Sequence, residues 1–380
     1  MVRKIISKEI VTIILVSIVI FNYCSKKGKD SKDIPTQYVK INEQKVSNVH
    51  FTLKKRFEVS ALACPRIAVS PYQDKIIIYG LSTKKEEEAR IVAQMYNKNL
   101  EFINEKSFLF GQGPGDASAF NLFSFSKDKI LVSGNSNHRV TIYTNDWSLE
   151  EIKQHRLITD SFEIFENGTL FLIGEFDWGD KWDYYSLQLG SIPSFKTKTF
   201  FRFGPFRLFE NKKTIWGELT EYSWFYRNKE IYMLDCGRYR ILKFDITGRK
   251  LKDVQFIVEK IKTDHSMDNE YFLQNNISQH RRRFRFSDTV DPAASIIPLS
   301  KGFIVVRRYS YLTDCSNMIV GDYFSNDLKH IGKVKVPCFE AALQVHGGRR
   351  NESFKYDNGF LYLTLSQEDS DWIEKWEVHE

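Results

Sequence analysis

Phe110-Gly111-Gln112-Gly113-Pro114-Gly115-Asp116 is a turn phrase, and what flanks it decides the fold. Upstream stands Met95-Tyr96-Asn97-Lys98-Asn99-Leu100: the apolar end of a strand, a polar turn, and a leucine expected to open the next strand. Downstream, Lys129-Ile130-Leu131-Val132-Ser133-Gly134 and Arg139-Val140-Thr141-Ile142-Tyr143 read as two strands split by a polar turn. The same phrase returns at Glu230–Asp235 and Arg240–Gly248. Turn residues punctuate, and β-branched and aromatic residues fill the runs between them, the pattern of short strands in series. A hairpin phrase that recurs marks a repeat architecture.

Working outward, Arg66–Ser70 pairs with Lys75–Gly80. Phe162–Phe165 pairs with Thr169–Gly174 through Glu166-Asn167-Gly168, a strong hairpin signal, and Tyr184–Leu189 is the next strand out. Ser295–Leu299, Gly302–Val306 and Met318–Phe324 repeat the rhythm, as do Phe354–Tyr356, Gly359–Leu365 and Trp372–Val378. The units centre near Ile78, Leu131, Leu172, Met233, Val305 and Tyr362, roughly 40–70 residues apart. Six such units predict an all-β chain: a six-bladed β-propeller over residues 48–380. The last unit lacks a fourth strand, and Val49-His50-Phe51-Thr52-Leu53 lacks a partner. Pairing the two would close the ring and remove its open sheet edges. One segment breaks the rhythm. Between Val258 and Arg285, helix formers outnumber strand formers, which predicts an inserted helical loop on one rim.

The chain of 380 residues is 42% hydrophobic and carries 30 Phe, 18 Tyr and 7 Trp, enough to bury a sizeable core and to exclude disorder as its general state. Its net charge of +7 is diffuse, and part of it sits near the N-terminus. A nucleic-acid surface needs a concentrated basic face, so no nucleic-acid partner is expected.

The N-terminus reads as an address. Arg3, Lys4 and Lys8 precede the apolar run Ile10–Phe21, which has the length of a signal-peptide core (about 7–15 residues) rather than a membrane span (about 20). The run stops at Asn22-Tyr23-Cys24 and is followed by Lys26, Lys27, Lys29 and Lys32. It resembles a bacterial lipoprotein leader, which implies lipidation of Cys24 and a membrane partner held through that lipid. Tyr23 stands where such leaders prefer a small residue, and Phe21 is also unusual. An uncleaved N-terminal anchor and ordinary secretion are the other readings. Residues 1–24 are thus the signal or anchor, and 25–47, rich in Lys, Ser, Asp and Gln, read as a flexible tether. The expected location is the cell envelope, facing periplasm or cell surface.

With Cys24 lipidated, Cys64, Cys236, Cys315 and Cys338 remain, an even number in an oxidising compartment. They form no CxxC pair and have no histidine at zinc spacing. Buried thiols are one reading. Cys315 with Cys338, in neighbouring strands, is the disulfide to test first.

At the repeated phrase the chain resembles the NHL-type six-bladed β-propeller lipoproteins of Gram-negative bacteria. Gly111, Gly113, Pro114, Gly115 and Phe120 follow that family's blade-ending phrase, with Phe120 placed later than usual. Arg139–Tyr143 and Arg240–Phe244 match its "arginine, Val or Ile, two residues, aromatic" pattern, with Asp235 and Gly248 beside the second. The resemblance covers 49–380, with clear motifs in three units. It implies fold more than function, since propellers serve many unrelated roles.

Each candidate site has a structural alternative. The Gly-rich phrase lacks the Gly-Lys-Ser/Thr and helix of a phosphate cradle, and a blade-to-blade turn explains it better. Arg139 and Arg240 point either to an anionic ligand in the channel or to a brace on a neighbouring blade or carbonyl. Trp178 and Trp182, in an acidic-aromatic stretch, would suit stacking on a sugar; an acidic surface loop is the alternative. Arg281, Arg282, Arg283 and Arg285 form a solvated face or one resting on a membrane. No HExxH or GxSxG occurs, and no catalytic residue, metal or cofactor is expected. The leading function is therefore a lipid-anchored module binding a protein, peptide or glycan. A periplasmic lyase or hydrolase is the alternative. Converging His, Asp or Glu at the channel mouth would favour the enzyme, and exposed aromatics and arginines the binding module.

Overall fold

In a computed structural model of the chain, every unit counted above is a four-stranded antiparallel sheet, and each of the six centres lies on its second strand. The structure describes residues 34–59, 62–82, 90–111, 113, 116, 121–134, 139–154, 159–165, 170–178, 183–192, 194–206, 214–215, 222–236, 238–262, 284–285, 289–290, 292–307, 318–338, 353–367 and 370–380. Blade 1 is Leu62–Val69, Ile76–Ser82, Arg90–Tyr96 and Phe102–Leu109; blade 2 is Asn121–Phe125, Lys129–Gly134, Arg139–Thr144 and Leu149–Gln154. Blade 3 is Thr159–Phe165, Leu170–Trp178, Asp183–Ser191 and Thr197–Phe206; blade 4 is Tyr222–Arg227, Glu230–Asp235, Arg240–Asp245 and Lys250–Ile257. Blade 5 is Ala293–Pro298, Gly302–Arg307, Ile319–Ser325 and His330–Val336. Blade 6 takes Phe354–Asp357, Phe360–Gln367 and Ser370–His379 from late in the chain and its outer strand, His50–Glu58, from early in it. The orphan segment at 49–53 thus does close the ring, with Phe51 opposite Val378 and Phe57 opposite Ile373.

The core lies between blades, not within them. Among the described residues the buried apolar side chains gather into six clusters, one at each junction from blade 1–2 round to blade 6–1. A middle strand must therefore bury both faces. In blade 4, Tyr232 and Leu234 face blade 5 while Ile231 and Met233 face blade 3. This two-sided burial is why the second strands read as continuous apolar runs and were legible as unit centres. A closed circle of junctions is the ring.

The turn between third and fourth strands repeats its geometry in blades 1, 2, 4 and 5. Its first residue is Asn97, Thr144, Asp245 or Ser325, whose carbonyl accepts the N–H of the residue three on. That fourth residue is left-handed: Leu100 at φ 62°, Trp147 at 67°, Gly248 at 83° and Leu328 at 61°. Leu100 therefore ends the turn instead of opening the strand, which begins at Phe102. Side chains at this position serve as pegs. Leu100 is buried in the blade 6–1 cluster, Trp147 in the blade 1–2 cluster and Leu328 in the blade 4–5 cluster. Trp147 also donates its Nε1–H to Asn104 Oδ1 of blade 1 at 3.0 Å.

The expected tether at 25–47 carries regular pairing over its second half. Gln37–Lys40 forms a fifth, parallel strand on the outer edge of blade 4, from Gln37 opposite Val254 to Lys40 opposite Ile257. Ile41 is buried in the blade 4–5 core, and Val46 bridges to Lys333 of blade 5. These residues belong to a unit spanning Thr36–Glu380. Of the inserted loop expected as helical, Ile261–Lys262 pairs with Thr289–Val290, and Phe284–Arg285 pairs with Thr214–Ile215. Residues 263–283 of that loop, with Arg281, Arg282 and Arg283, lie outside the described residues. Cys236 is a buried thiol whose S–H donates to Ala294 O at 3.1 Å. Cys338 is disulfide-bonded, and Cys315 lies outside the described residues.

Candidate functional site

The ends of the first strands in five blades, with the following turns of blades 1, 5 and 6, line a cavity of about 890 Å³ at one mouth of the ring. Blade 1 contributes Pro71 and Tyr72, blade 3 Glu163 and Phe165, blade 4 Tyr226 and Arg227, blade 5 Ser300 and Lys301, and blade 6 Tyr356 and Asp357, with Glu380 beside them. The blade 4 turn brings its residues inward through two left-handed positions, Asn228 at φ 50° and Lys229 at 62°, the geometry of a two-residue hairpin loop. Phe165 and Tyr226, from adjacent blades, stack at 4.2 Å between centroids with their planes 26° apart.

The charges at this mouth are largely committed to holding turns. Arg227 donates from Nη1 to Gly302 O at 2.9 Å and to Asn326 Oδ1 at 3.0 Å, and its guanidinium lies 5.3 Å from the centre of the Phe225 ring. Burial lowers its pKa from the ordinary arginine value, with Tyr232 and Glu380 opposing that shift. The Glu380 carboxylate accepts the N–H groups of Ser300 at 2.7 Å and Lys301 at 2.9 Å and the Tyr323 hydroxyl at 3.2 Å. Burial, then Glu380 itself, pushes the Tyr323 pKa up to about 12. Asp357 pairs with Lys98 at 2.7 Å. The lining also carries three half-buried tyrosines, Tyr72, Tyr226 and Tyr356, together with the carboxylates of Glu163, Asp357 and Glu380.

Of the residues singled out from sequence, Arg139 and Arg240 do not line this cavity. Arg139 is buried and donates from Nη2 to Gly113 O and Asp116 O, both at 2.7 Å. It braces the Gly-rich phrase that drew attention to it. Within that phrase Gly113 N–H donates to Asp116 Oδ2 at 2.7 Å. A Cβ on Gly113 would stand 2.7 Å from that same oxygen, so only glycine allows the carboxylate so close. Arg240 grips buried Asp253 of the neighbouring strand, Nε to Oδ1 at 2.7 Å. That bond, ahead of the cost of burial, raises the Arg240 pKa. Burial alone would raise the Asp253 pKa, but Arg240 and Lys250 hold it below its ordinary value. Trp178 ends the second strand of blade 3; its side chain, Trp182 and Cys24 lie outside the described residues. Among the described residues, no three His, Cys, Asp or Glu side chains form a metal-holding group, and no helix is long and apolar enough to cross a membrane.

Sequence reading missed the tyrosine mouth because its residues come from five blades far apart in the chain. The available signal was positional: Tyr72, Tyr226 and Tyr356 all sit at or beside a turn between first and second strands, so fixing the blade register would have grouped them.

The chain matches no protein-family model and no curated protein. It is similar in structure to a Bacteroides fragilis protein provisionally named as exported, with TM-score 0.51 and 11% identity over 91% of this chain and 99% of that one. A DUF4221-family protein from Bacteroides vulgatus matches with TM-score 0.47 and 10% identity over 87% of this chain and 99% of that one. A Bacteroides thetaiotaomicron protein of unknown function matches with TM-score 0.44 and 10% identity, over 91% of this chain and 76% of that one. At such identities the likeness speaks to fold alone.

Proposed function

We propose that this chain is an exported, lipid-anchored β-propeller, akin to the NHL-type lipoproteins, that binds a protein, peptide or glycan segment at its tyrosine-lined mouth. The carrying observation is the cavity of about 890 Å³, lined by Tyr72, Tyr226 and Tyr356 from three blades, where Arg227, Lys301, Asp357 and Glu380 are engaged in turn contacts. That volume lies in the range of ligand clefts, roughly 300–1,000 Å³. Aromatic faces with a few polar groups at their edge suit stacking on a sugar or an apolar side chain. Committed charges favour a binding surface over acid–base chemistry, which needs a group poised to move a proton.

Export draws support from the leader ending at Cys24, from a disulfide at Cys338 and from the provisional name of one structural neighbour. Two experiments test the proposal. Immobilised peptide and glycan libraries should yield ligands for the wild type whose affinity falls at least about tenfold in Tyr72→Ser and Tyr356→Ser. Ligands held equally by all three proteins would place binding elsewhere. Labelled palmitate should mark the wild type and not Cys24→Ala; persisting label would sink lipidation at that residue.

A further inference from the structure

One charged residue of the mouth is not fastened by a turn. Arg227 is fixed by Gly302 O and Asn326 Oδ1, Lys301 by Glu380 O at 3.1 Å, Asp357 by Lys98, and Glu380 by the N–H groups of Ser300 and Lys301. Glu163 is the exception. Its carboxylate lies 4.0 Å from Lys355 Nζ, beyond hydrogen-bond distance, and it makes no hydrogen bond to any described residue.

Glu163 stands on the first strand of blade 3 and Lys355 on the first strand of blade 6. In a ring of six those blades are opposite, so the pair reaches across the centre of the ring. Both residues sit on well-packed backbone. Ile164 and Phe165 beside Glu163 are buried in the two junctions of blade 3, and Phe354 beside Lys355 is buried in the blade 5–6 core. What can adjust is the pair of side chains. They are 32% and 27% exposed, and an ion pair this long and this wet contributes little stability.

We propose, on the reading of the mouth as a binding surface, that Glu163 anchors a cationic side chain of a peptide, the ammonium of lysine or the guanidinium of arginine. The ligand cation takes the place of Lys355. It can approach the carboxylate to about 2.7–2.9 Å with its own donors, closer than Lys355 stands, while Lys355 turns to water on its flexible stem. Covering Glu163 with a neutral or anionic ligand would desolvate a carboxylate with nothing to offset the cost. An anionic ligand also lacks a free partner, since Arg227 and Lys301 would have to leave their turns. Counting side chains, three carboxylates line the cavity against two cations, which favours the same sign of ligand. Tyr72, Tyr226 and Tyr356 supply aromatic surface on which a cation and its methylene stem pack.

The test screens the full chain against an arrayed library of capped peptides and a glycan array, and measures affinity by fluorescence polarisation. Bound peptides should be enriched in Lys and Arg, and changing that ligand residue to Gln should weaken binding at least about tenfold. Glu163→Gln should lose a similar factor. Lys355→Met removes the competitor, so binding should stay as tight or tighten by up to about fivefold, the worth of an exposed ion pair. A merely structural strut would weaken binding in both variants alike, and that result overturns the proposal. So does undiminished affinity in Glu163→Gln. Ligands that depend on Tyr72 and Tyr356 but are glycans or uncharged peptides overturn this inference alone. No ligand of either kind overturns the binding mouth with it.

Discussion

At the residue scale, buried charged side chains fasten one piece of chain to another through hydrogen bonds and ion pairs. Arg139 bonds two carbonyls of the Gly-rich turn, and removing it leaves those acceptors without their charged donor. Arg139→Met is expected to lower stability by about 2–3 kcal/mol, read as a lower urea midpoint with unchanged slope. Asp322 is the second such point. It is fully buried between Arg307, at 2.7 Å from Nε, and the Tyr239 hydroxyl, with His330 Nε2 3.4 Å away. The His330 contact is electrostatic proximity without aligned hydrogen-bond geometry. Burial alone would raise the Asp322 pKa; the His330 and Arg307 contacts outweigh it and hold the carboxyl below its ordinary value. A folded-state pKa below the unfolded one gives stability that is present above the unfolded value. That stability should be lost as pH falls from about 4 through the folded pKa. Asp322→Asn should flatten this acid limb in unfolding curves taken at a series of pH values, while lowering stability at pH 7.

At the element scale, blades are held together by repeated turns. In blade 4, Tyr232 O–H and Lys243 Nζ both reach Asn326 O in the next blade's turn, at 3.2 and 3.5 Å, while Lys252 reaches Asp327 O. Blade 6 does the same to blade 1: Tyr362 and Lys375 meet Lys98 O at 3.3 and 2.7 Å, and Lys55 meets Asn99 O at 2.9 Å. The tyrosine and lysine are cross-strand partners in both blades. The turn's peg, Leu328 or Leu100, then fills the gap beneath the clamp. Blade 4 inverts the arrangement at its own turn, where the peg position is Gly248 and Phe200 of blade 3 fills the space. A Cβ at Gly248 would lie 2.2 Å from Phe200 Cβ, in a residue whose φ is already 83°. Gly248→Ala should therefore cost about 2–4 kcal/mol, combining left-handed strain with overpacking, and show as a lowered thermal midpoint. Gly248 was singled out in the sequence as part of a family phrase. The pegs and clamps were not, because Leu, Tyr and Lys carry no turn signal of their own.

At the scale of the whole molecule, the early residues belt the ring before closing it. Gln37–Lys40 extends blade 4, Ile41 plugs the blade 4–5 core, Glu43 pairs with Arg307 and Lys333 of blade 5, and His50–Glu58 completes blade 6. Ile41→Ala should thus cost about 2–4 kcal/mol in a segment whose composition reads as tether, and thermal unfolding measures it. No loss on that substitution would return residues 36–47 to the role of linker. Period-2 patterning, two-sided apolar runs and turn residues are local properties, so the sequence by itself determined the second strand of each blade, the count of six blades and the orphan strand that closes them. It also marked Arg139, Arg240 and the Gly-rich phrase, because arginine and glycine stand out where backbone approaches closely. Only the tertiary structure decided what those arginines hold, that residues 37–41 join the core, and which turns converge on the mouth. The physical reason is that ring closure is a sum of small twists between neighbouring blades. It brings Tyr72, Tyr226 and Tyr356 to one opening, and Glu163 toward Lys355, by a geometry that no stretch of chain contains.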